Sequence, residues 1–156
     1  MKSSLLTIVI LIAFQFSVKA QNSTQNSDTT KVIILSLNDQ HAKIDNYGQL
    51  KAAVDKIRKE NKYVYLFSGG DNFTGNPVVD QYPDKGYPMI DLMNSVGFTA
   101  SAVGNHEFDY GQQVLGKRMK QANFPFLNAN IKDSTGNFKF KPYYIIKLDN
   151  GLRIGV

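Results

Sequence analysis

Short apolar runs alternate with amphipathic helical patterns along most of this chain, and this alternation constrains the fold more than any other feature. The apolar runs are rich in β-branched residues, as expected for strands that are buried on both faces. They lie at 31–37, 63–70, 99–104 and 124–131, and apolar residues at helical spacing lie between them at 50–57, 89–96 and 115–122. This alternation predicts the α/β class, with a largely parallel sheet and helices on both of its faces.

Polar clusters follow the first three predicted strands directly. They read NDQH at 38–41, GGDNFTGN at 69–76 and GNHEFD at 104–109. The carboxyl ends of parallel strands form one edge of a sheet, and ligands bind at that edge in open α/β proteins. We therefore expect the three clusters to meet at one site.

The residue types in these clusters suit a metal site, although each cluster alone has an ordinary structural explanation. Asp39 and His41 face the same way if the strand geometry persists, but they could also be a loop aspartate and a surface histidine. Asn105 suits a helix N-cap. Against these alternatives, the chain has only two histidines, and both lie in strand-end clusters that also contain aspartate. Because the chain has no cysteine, the ligands would be imidazole, carboxylate and amide groups, which suit Zn, Mn, Mg or Fe.

The three clusters, in this order, resemble the D-x-H, G-D and G-N-H-E motifs of the calcineurin-like metallophosphoesterases. Within that family they are most similar to the secreted 5'-nucleotidase and UDP-sugar hydrolase branch. The resemblance runs from about Lys31 to the end and implies a layered α/β sandwich, of which this chain holds only the N-terminal portion. It also implies two divalent metal ions, the first bound by Asp39 and His41. Asp71 would bridge both ions, and Asn105 would bind the second.

The same resemblance makes His106 a catalytic residue rather than a metal ligand. His106 would face the phosphate, held protonated by Asp109, and would stabilise charge on the transferring phosphoryl group or its leaving oxygen. Glu107 is expected to be structural, as an acid in the first turn of a helix. Three further polar side chains of the second cluster could line the pocket or form turns: Asn72, Thr74 and Asn76.

Composition divides the chain into three segments. Residues 1–20 combine Lys2, an apolar run at 5–16 and small residues up to Ala20, which indicates a cleaved secretory signal peptide. The apolar run is too short for a stable membrane anchor. Residues 21–30 are expected to form a polar linker, and by the resemblance residues 31–156 would be the N-terminal part of a metallophosphoesterase domain. We expect a periplasmic or extracellular location after cleavage.

The C-terminal region predicts a β-hairpin, because Asn150 and Gly151 lie between two apolar runs. The chain then stops inside a strand, so we expect it to be the front part of a longer protein. The family completes its metal site with two further histidine-bearing segments, and the nucleotidase branch adds a second domain. All of these are expected beyond Val156, and the chain alone would bind metal weakly and catalyse poorly or not at all.

The expected function is metal-dependent hydrolysis of small phosphate esters, above all of nucleoside monophosphates to nucleoside and phosphate. Two alternatives stay open: the same site acting on 2',3'-cyclic nucleotides, UDP-sugars or sulfur esters, and a non-catalytic exported domain. Nucleic acid is not an expected partner, because the formal charge of +5 falls to +3 once Lys2 and Lys19 are removed. The densest basic patch, at 56–62, lies at the end of a predicted helix, where cations complement the helix dipole.

Overall fold

Four parallel strands form the central sheet in the part of the chain that the structure describes. The computed structural model describes residues 29–137 and 139–156. The strands lie in sequential order, and every pair of neighbours is parallel: β1 (Val32–Leu37), β2 (Tyr63–Ser68), β3 (Ala100–Ala102) and β4 (Phe126–Leu127). The predicted α/β class and parallel sheet are confirmed, and the first three strands end just before the three polar clusters.

Helices make the connections between these strands. The described helices are α1 (Tyr47–Glu60) between β1 and β2, α2 (Pro77–Asp80) and α3 (Tyr87–Val96) between β2 and β3, and α4 (Gln112–Gln121) between β3 and β4. A short 3-10 helix (His106–Phe108) precedes α4. The α3 helix ends at Gly97, as its apolar pattern predicts, and Gly97 takes the left-handed φ of 80° that glycine adopts without strain.

The three long helices form a single layer on one face of the sheet. α1 packs against α3, and α3 packs against α4. Val54, Leu66 and Met93 are buried in the core that the helices and the sheet share. Ile34 lies on the opposite face of β1 from Leu35 and is 61% exposed.

Helices were expected on both faces, and within the described residues this expectation is not met. Right-handed crossovers between strands in sequential order place every connection on the same side of the sheet. Helical periodicity indicates that a helix has a buried stripe, but it carries no information about the order of the strands that the helix connects. The open face is therefore a consequence of topology rather than of any local sequence pattern.

The basic end of α1 stabilises α3. The Arg58 guanidinium donates hydrogen bonds to the Val96 carbonyl (2.5 Å) and the Gly97 carbonyl (2.6 Å). Both carbonyls lie at the C-terminus of α3, where a positive charge is favourable. The basic patch was expected to complement the dipole of its own helix, and one of its members instead caps the neighbouring helix.

A β-hairpin lies near the C-terminus, as the Asn-Gly pair predicts. β5 (Ile145–Lys147) and β6 (Arg153–Gly155) pair antiparallel. Gly151 in the connecting turn has a φ of 87°, a conformation that favours glycine.

The predicted signal peptide, residues 1–20, and residues 21–28 of the predicted linker lie outside the described residues. Among the residues that are described, no helix combines the length and the apolar character that a membrane crossing requires.

Candidate metal centre

Backbone hydrogen bonds continue the pairing of β1 and β2 beyond the ends of the strands. The Asp39 N–H donates to the Gly70 carbonyl (3.1 Å), and the His41 N–H donates to the Asp71 carbonyl (3.0 Å). These bonds hold the first polar loop, residues 38–42, against the second polar loop, residues 69–76. Asp39, His41 and Asp71 are therefore presented by two loops that are fixed to each other.

Asp39 and His41 come together by a route that their spacing does not predict. β1 ends at Leu37, and the φ angles of Asp39 and His41 are 51° and 45°, in the left-handed region that residues other than glycine rarely adopt. The strand geometry does not persist to these residues, so strand alternation is not what brings the two side chains together. They meet nonetheless, with Asp39 Oδ1 lying 4.0 Å from His41 Nε2. Such backbone strain is concentrated at functional sites in proteins.

The third polar loop, residues 103–109, approaches the second closely because Gly104 has no side chain. A Cβ atom on Gly104 would overlap the Asp71 carboxylate, at 2.7 Å from Cγ, and would lie 2.9 Å from the Asp71 nitrogen. Gly70, with a φ of 98°, makes the reciprocal approach, since a Cβ there would lie 2.8 Å from the Gly104 nitrogen. The two glycines thus allow Asp71 to lie directly against the third loop.

Three side chains converge where the loops meet. The potential ligand atoms of His41, Asp71 and His106 lie within 4.8 Å of one another. The backbone N–H of His106 donates to Asp71 Oδ1 (2.9 Å). The imidazole rings of His41 and His106 meet edge to face, with their centroids 4.5 Å apart. Imidazole nitrogen and carboxylate oxygen are ligands of divalent transition metals. The His41 imidazole and the Asp71 carboxylate therefore fit a divalent metal ion, and His106 lies beside the same position.

The other two predicted ligands lie next to this group. Asp39 lies beside His41, as described above. Asn105 directly precedes His106, is exposed, and makes no side-chain capping hydrogen bond within the described chain. The alternative role of Asn105 as a helix N-cap is therefore not supported, and its amide oxygen can serve another partner.

The structure brings together the two residues predicted to form a catalytic pair. His106 Nδ1 lies 2.7 Å from Asp109 Oδ2, and this hydrogen bond raises the pKa of His106 above its ordinary value, while desolvation opposes the shift. The pKa of Asp109 is lowered, first by the hydrogen bond from the Thr74 hydroxyl and then by the one with His106. Both shifts favour an imidazolium beside a carboxylate, which is the state that stabilises a developing negative charge.

Glu107 has a structural role, but not the one expected of an acid in a first helical turn. It is fully buried, at 0% exposure. Its Oε2 accepts hydrogen bonds from the backbone N–H groups of Asp71 (3.0 Å) and Gly104 (2.6 Å). Its Oε1 accepts from the backbone N–H (2.7 Å) and the side-chain Nδ2 (2.9 Å) of Asn72. One carboxylate thus binds the second loop to the third.

A buried polar network that the sequence analysis missed extends from Glu107 beneath the loops. Asn72 Oδ1 accepts hydrogen bonds from Gln40 Nε2 (2.7 Å) and from the Ser68 hydroxyl (2.6 Å). The Tyr47 hydroxyl donates in turn to Gln40 Oε1. The sequence signal is weak, because a serine at the end of an apolar strand and a glutamine in a polar loop do not indicate buried partners. Asn72, which was expected either to line the pocket or to form a turn, is instead the centre of this network.

Comparison with known proteins gives consistent results. The family model for the calcineurin-like phosphoesterases matches residues 32–155. The chain is 40% identical over 150 residues to the protein UshA of Salmonella pullorum, a match that covers 88% of this chain and 27% of UshA. It is 36% identical over 166 residues to the 5'-nucleotidase of Vibrio cholerae, covering 98% of this chain and 30% of that protein.

A solved structure shows the same fold. The crystal structure of the 5'-nucleotidase precursor from Thermus thermophilus matches with a TM-score of 0.70 and 26% identity, over 80% of this chain and 27% of that chain. The chain thus spans somewhat more than a quarter of the length of each of these relatives. The family match covers nearly all of the described residues, including the three loops that carry the candidate ligands. The chain therefore belongs to the calcineurin-like phosphoesterase family.

Proposed function

We propose that the protein containing this chain is an exported metal-dependent hydrolase that releases phosphate from nucleoside 5'-monophosphates. The observation that carries this proposal is the meeting of Asp39, His41 and Asp71 with the His106–Asp109 pair at one edge of the sheet. Relatives named 5'-nucleotidase and UshA, which match 88% or more of this chain, support the choice of nucleotides as substrates.

Two divalent ions are proposed, with zinc, manganese, magnesium and iron as candidates. Asp39 and His41 would hold the first ion, Asp71 would contribute to both, and Asn105 would hold the second. When bound, such a pair of ions activates water and neutralises charge on the phosphoryl oxygens. The backbone hydrogen bonds from Asp39 and His41 to the second loop, and the close approach of Gly104 to Asp71, fix the loops that carry these residues relative to one another.

His106 supplies a proton donor on the third loop. Asp109 accepts the hydrogen bond from Nδ1, so Nε2 carries the second proton of the imidazolium and is available to the leaving oxygen of the ester. The hydrogen bond to Asp109 raises the pKa of His106, which favours the protonated ring.

The remainder of the site is proposed to lie beyond Val156. UshA and the Vibrio 5'-nucleotidase are more than three times as long as the matched segment, which leaves room for the two further histidine-bearing segments and the second domain that the family resemblance implies. Export is proposed from the sequence of residues 1–20. Cell fractionation followed by N-terminal sequencing tests it: we expect the protein in the periplasm or the medium with a chain that begins near Gln21, and a protein that stays in the cytoplasm with its N-terminus intact would contradict it.

Metal removal tests the proposed function directly. We expect the full-length protein to release phosphate from AMP, to lose that activity in excess EDTA, and to regain it with Mn²⁺ or Zn²⁺, because the ions provide the charge that the reaction needs. The same assay with 2',3'-cyclic AMP and UDP-glucose compares the alternative substrates. Activity that persists in the chelator would rule out the metal mechanism, and a preference for either alternative substrate would reassign the substrate.

A further inference from the structure

Thr74 holds a backbone conformation that a β-branched residue rarely adopts. Its φ is 58°, in the left-handed region. The chain beyond it is tied down, because the Gly75 N–H donates to Asp80 Oδ2 (3.1 Å) and the Tyr110 hydroxyl donates to the other Asp80 oxygen. Strained residues that their surroundings hold in place are concentrated at functional sites. The surrounding hydrogen bonds therefore hold Thr74 in one place beside the third loop.

The Thr74 hydroxyl points into the His106–Asp109 pair. Thr74 Oγ1 donates to Asp109 Oδ2 at 2.5 Å and lies 3.4 Å from His106 Nδ1. His106 Nδ1 and Asp109 Oδ2 are themselves 2.7 Å apart. One carboxylate oxygen thus accepts from two donors that come from different loops.

The pair needs such a third contact because it is not buried. The side chains of His106 and Asp109 are 36% and 39% exposed. An ion pair at this exposure is weak and does not by itself hold two side chains in one geometry. The Thr74 hydroxyl lies on the second loop, which backbone and Glu107 hydrogen bonds fix to both other loops. It can therefore hold the carboxylate in one orientation.

We propose that Thr74 is a positioning residue for the His106–Asp109 pair. Its hydroxyl fixes the Asp109 carboxylate, the carboxylate directs Nδ1–H of His106 toward itself, and Nε2–H is left for the leaving oxygen of the substrate. This inference rests on the proposed hydrolysis of phosphate esters. It explains why a β-branched residue occupies a position whose backbone favours glycine or asparagine.

Two substitutions in the full-length protein separate the hydroxyl from the shape of the side chain. Thr74→Val keeps the branched shape and the backbone strain but removes the donor, and Thr74→Ser keeps the donor. We expect Thr74→Val to lower kcat for AMP about 10- to 100-fold with KM within about threefold, as for other residues that orient a catalytic group. Thr74→Ser should keep at least about a third of kcat, because its hydroxyl can make the same hydrogen bond.

Two further measurements distinguish positioning from a general structural role. The decrease in kcat caused by Thr74→Val should be smaller for p-nitrophenyl phosphate than for AMP. The reason is that a phenolate leaving group depends less on proton donation than an alkoxide does. Calorimetric Mn²⁺ affinity should stay within about threefold of the unaltered protein, because Thr74 contacts the catalytic pair and not the proposed ligands. An equal loss with both substrates, or an equal loss in Thr74→Val and Thr74→Ser, would overturn the inference.

Asp71→Asn in the same assay separates this inference from the proposed function. If the unaltered protein is active, Asp71→Asn is inactive and Thr74→Val is unimpaired, the role of Thr74 is refuted while the metal-dependent hydrolase stands. If the unaltered protein releases no phosphate from any ester, both proposals fail together.

Discussion

Replacing Asp71 with asparagine in the full-length protein will lower kcat/KM for AMP by about a thousandfold, or ~4 kcal/mol of activation free energy. The substitution removes the negative charge at the point where all three loops meet. The side-chain oxygen of the new asparagine can still accept the hydrogen bond that the His106 backbone N–H donates to Asp71 Oδ1 at 2.9 Å. The backbone of the second loop should therefore stay in place. Steady-state phosphate release gives the rate effect, and calorimetry with Mn²⁺ gives the loss of metal affinity.

The matched control is Asp91→Asn, the same chemical change on the exposed surface of α3. We expect its kcat/KM and its Mn²⁺ affinity to equal those of the unaltered protein. If Asp71→Asn retained kcat/KM within tenfold of that control, Asp71 would not be a ligand of the reaction centre and the dinuclear proposal would be lost.

Gly104→Ala should displace the Asp71 carboxylate without changing its chemical identity. The added Cβ would lie 2.7 Å from Asp71 Cγ, so the carboxylate or the third loop must shift. A displaced ligand should weaken Mn²⁺ binding by about 10- to 100-fold, the range seen when the supports of a metal ligand are altered. Gly116→Ala on α4, where a Cβ meets nothing within 4 Å, makes the same change in open space and should leave Mn²⁺ binding intact.

Much of this architecture could be predicted from the sequence, because the information is local. Buried strands such as 32–37 are continuous apolar runs, and their polar ends identify the edge of the sheet where a site forms. The hairpin around Gly151 could be predicted for the same reason, since its turn chemistry lies in two adjacent residues. His41 and Asp71 could be proposed as candidates because they lie in strand-end clusters that resemble the motifs of a known family.

The parts that the sequence did not predict depend on contacts between distant segments. Asp39 has a left-handed φ, and its backbone N–H donates to the carbonyl of the distant residue Gly70. The order of residue types within 38–42 does not indicate this conformation. The role of Glu107 is hidden for a related reason, because three of its four donors are backbone N–H groups, which every residue but proline has. The single layer of helices follows from strand order, which is also a long-range property.

Glu107→Gln will lower the free energy of unfolding by about 4 kcal/mol, because a neutral amide cannot replace a carboxylate that accepts four hydrogen bonds. In one orientation, the NH₂ group of the new amide faces the backbone N–H groups of Asp71 and Gly104. In the other orientation, it faces the backbone N–H and the side-chain Nδ2 of Asn72. Two buried donors then lose their acceptor, at about 1–3 kcal/mol each. Urea denaturation followed by circular dichroism measures the change.

Glu60→Gln provides the matched control, since Glu60 is the only other glutamate in the chain and lies exposed at the end of α1. We expect Glu60→Gln to change the free energy of unfolding by no more than about 0.5 kcal/mol, as most surface substitutions do. Amide hydrogen exchange shows which part of the protein is destabilised. In Glu107→Gln, the backbone N–H groups of Asp71, Asn72 and Gly104 should lose protection before the amides of β2 do. The loops depend on the Glu107 carboxylate, whereas the strands have their own hydrogen bonds. A uniform loss of protection, or a stability equal to that of Glu60→Gln, would show that the carboxylate does not hold the loops together.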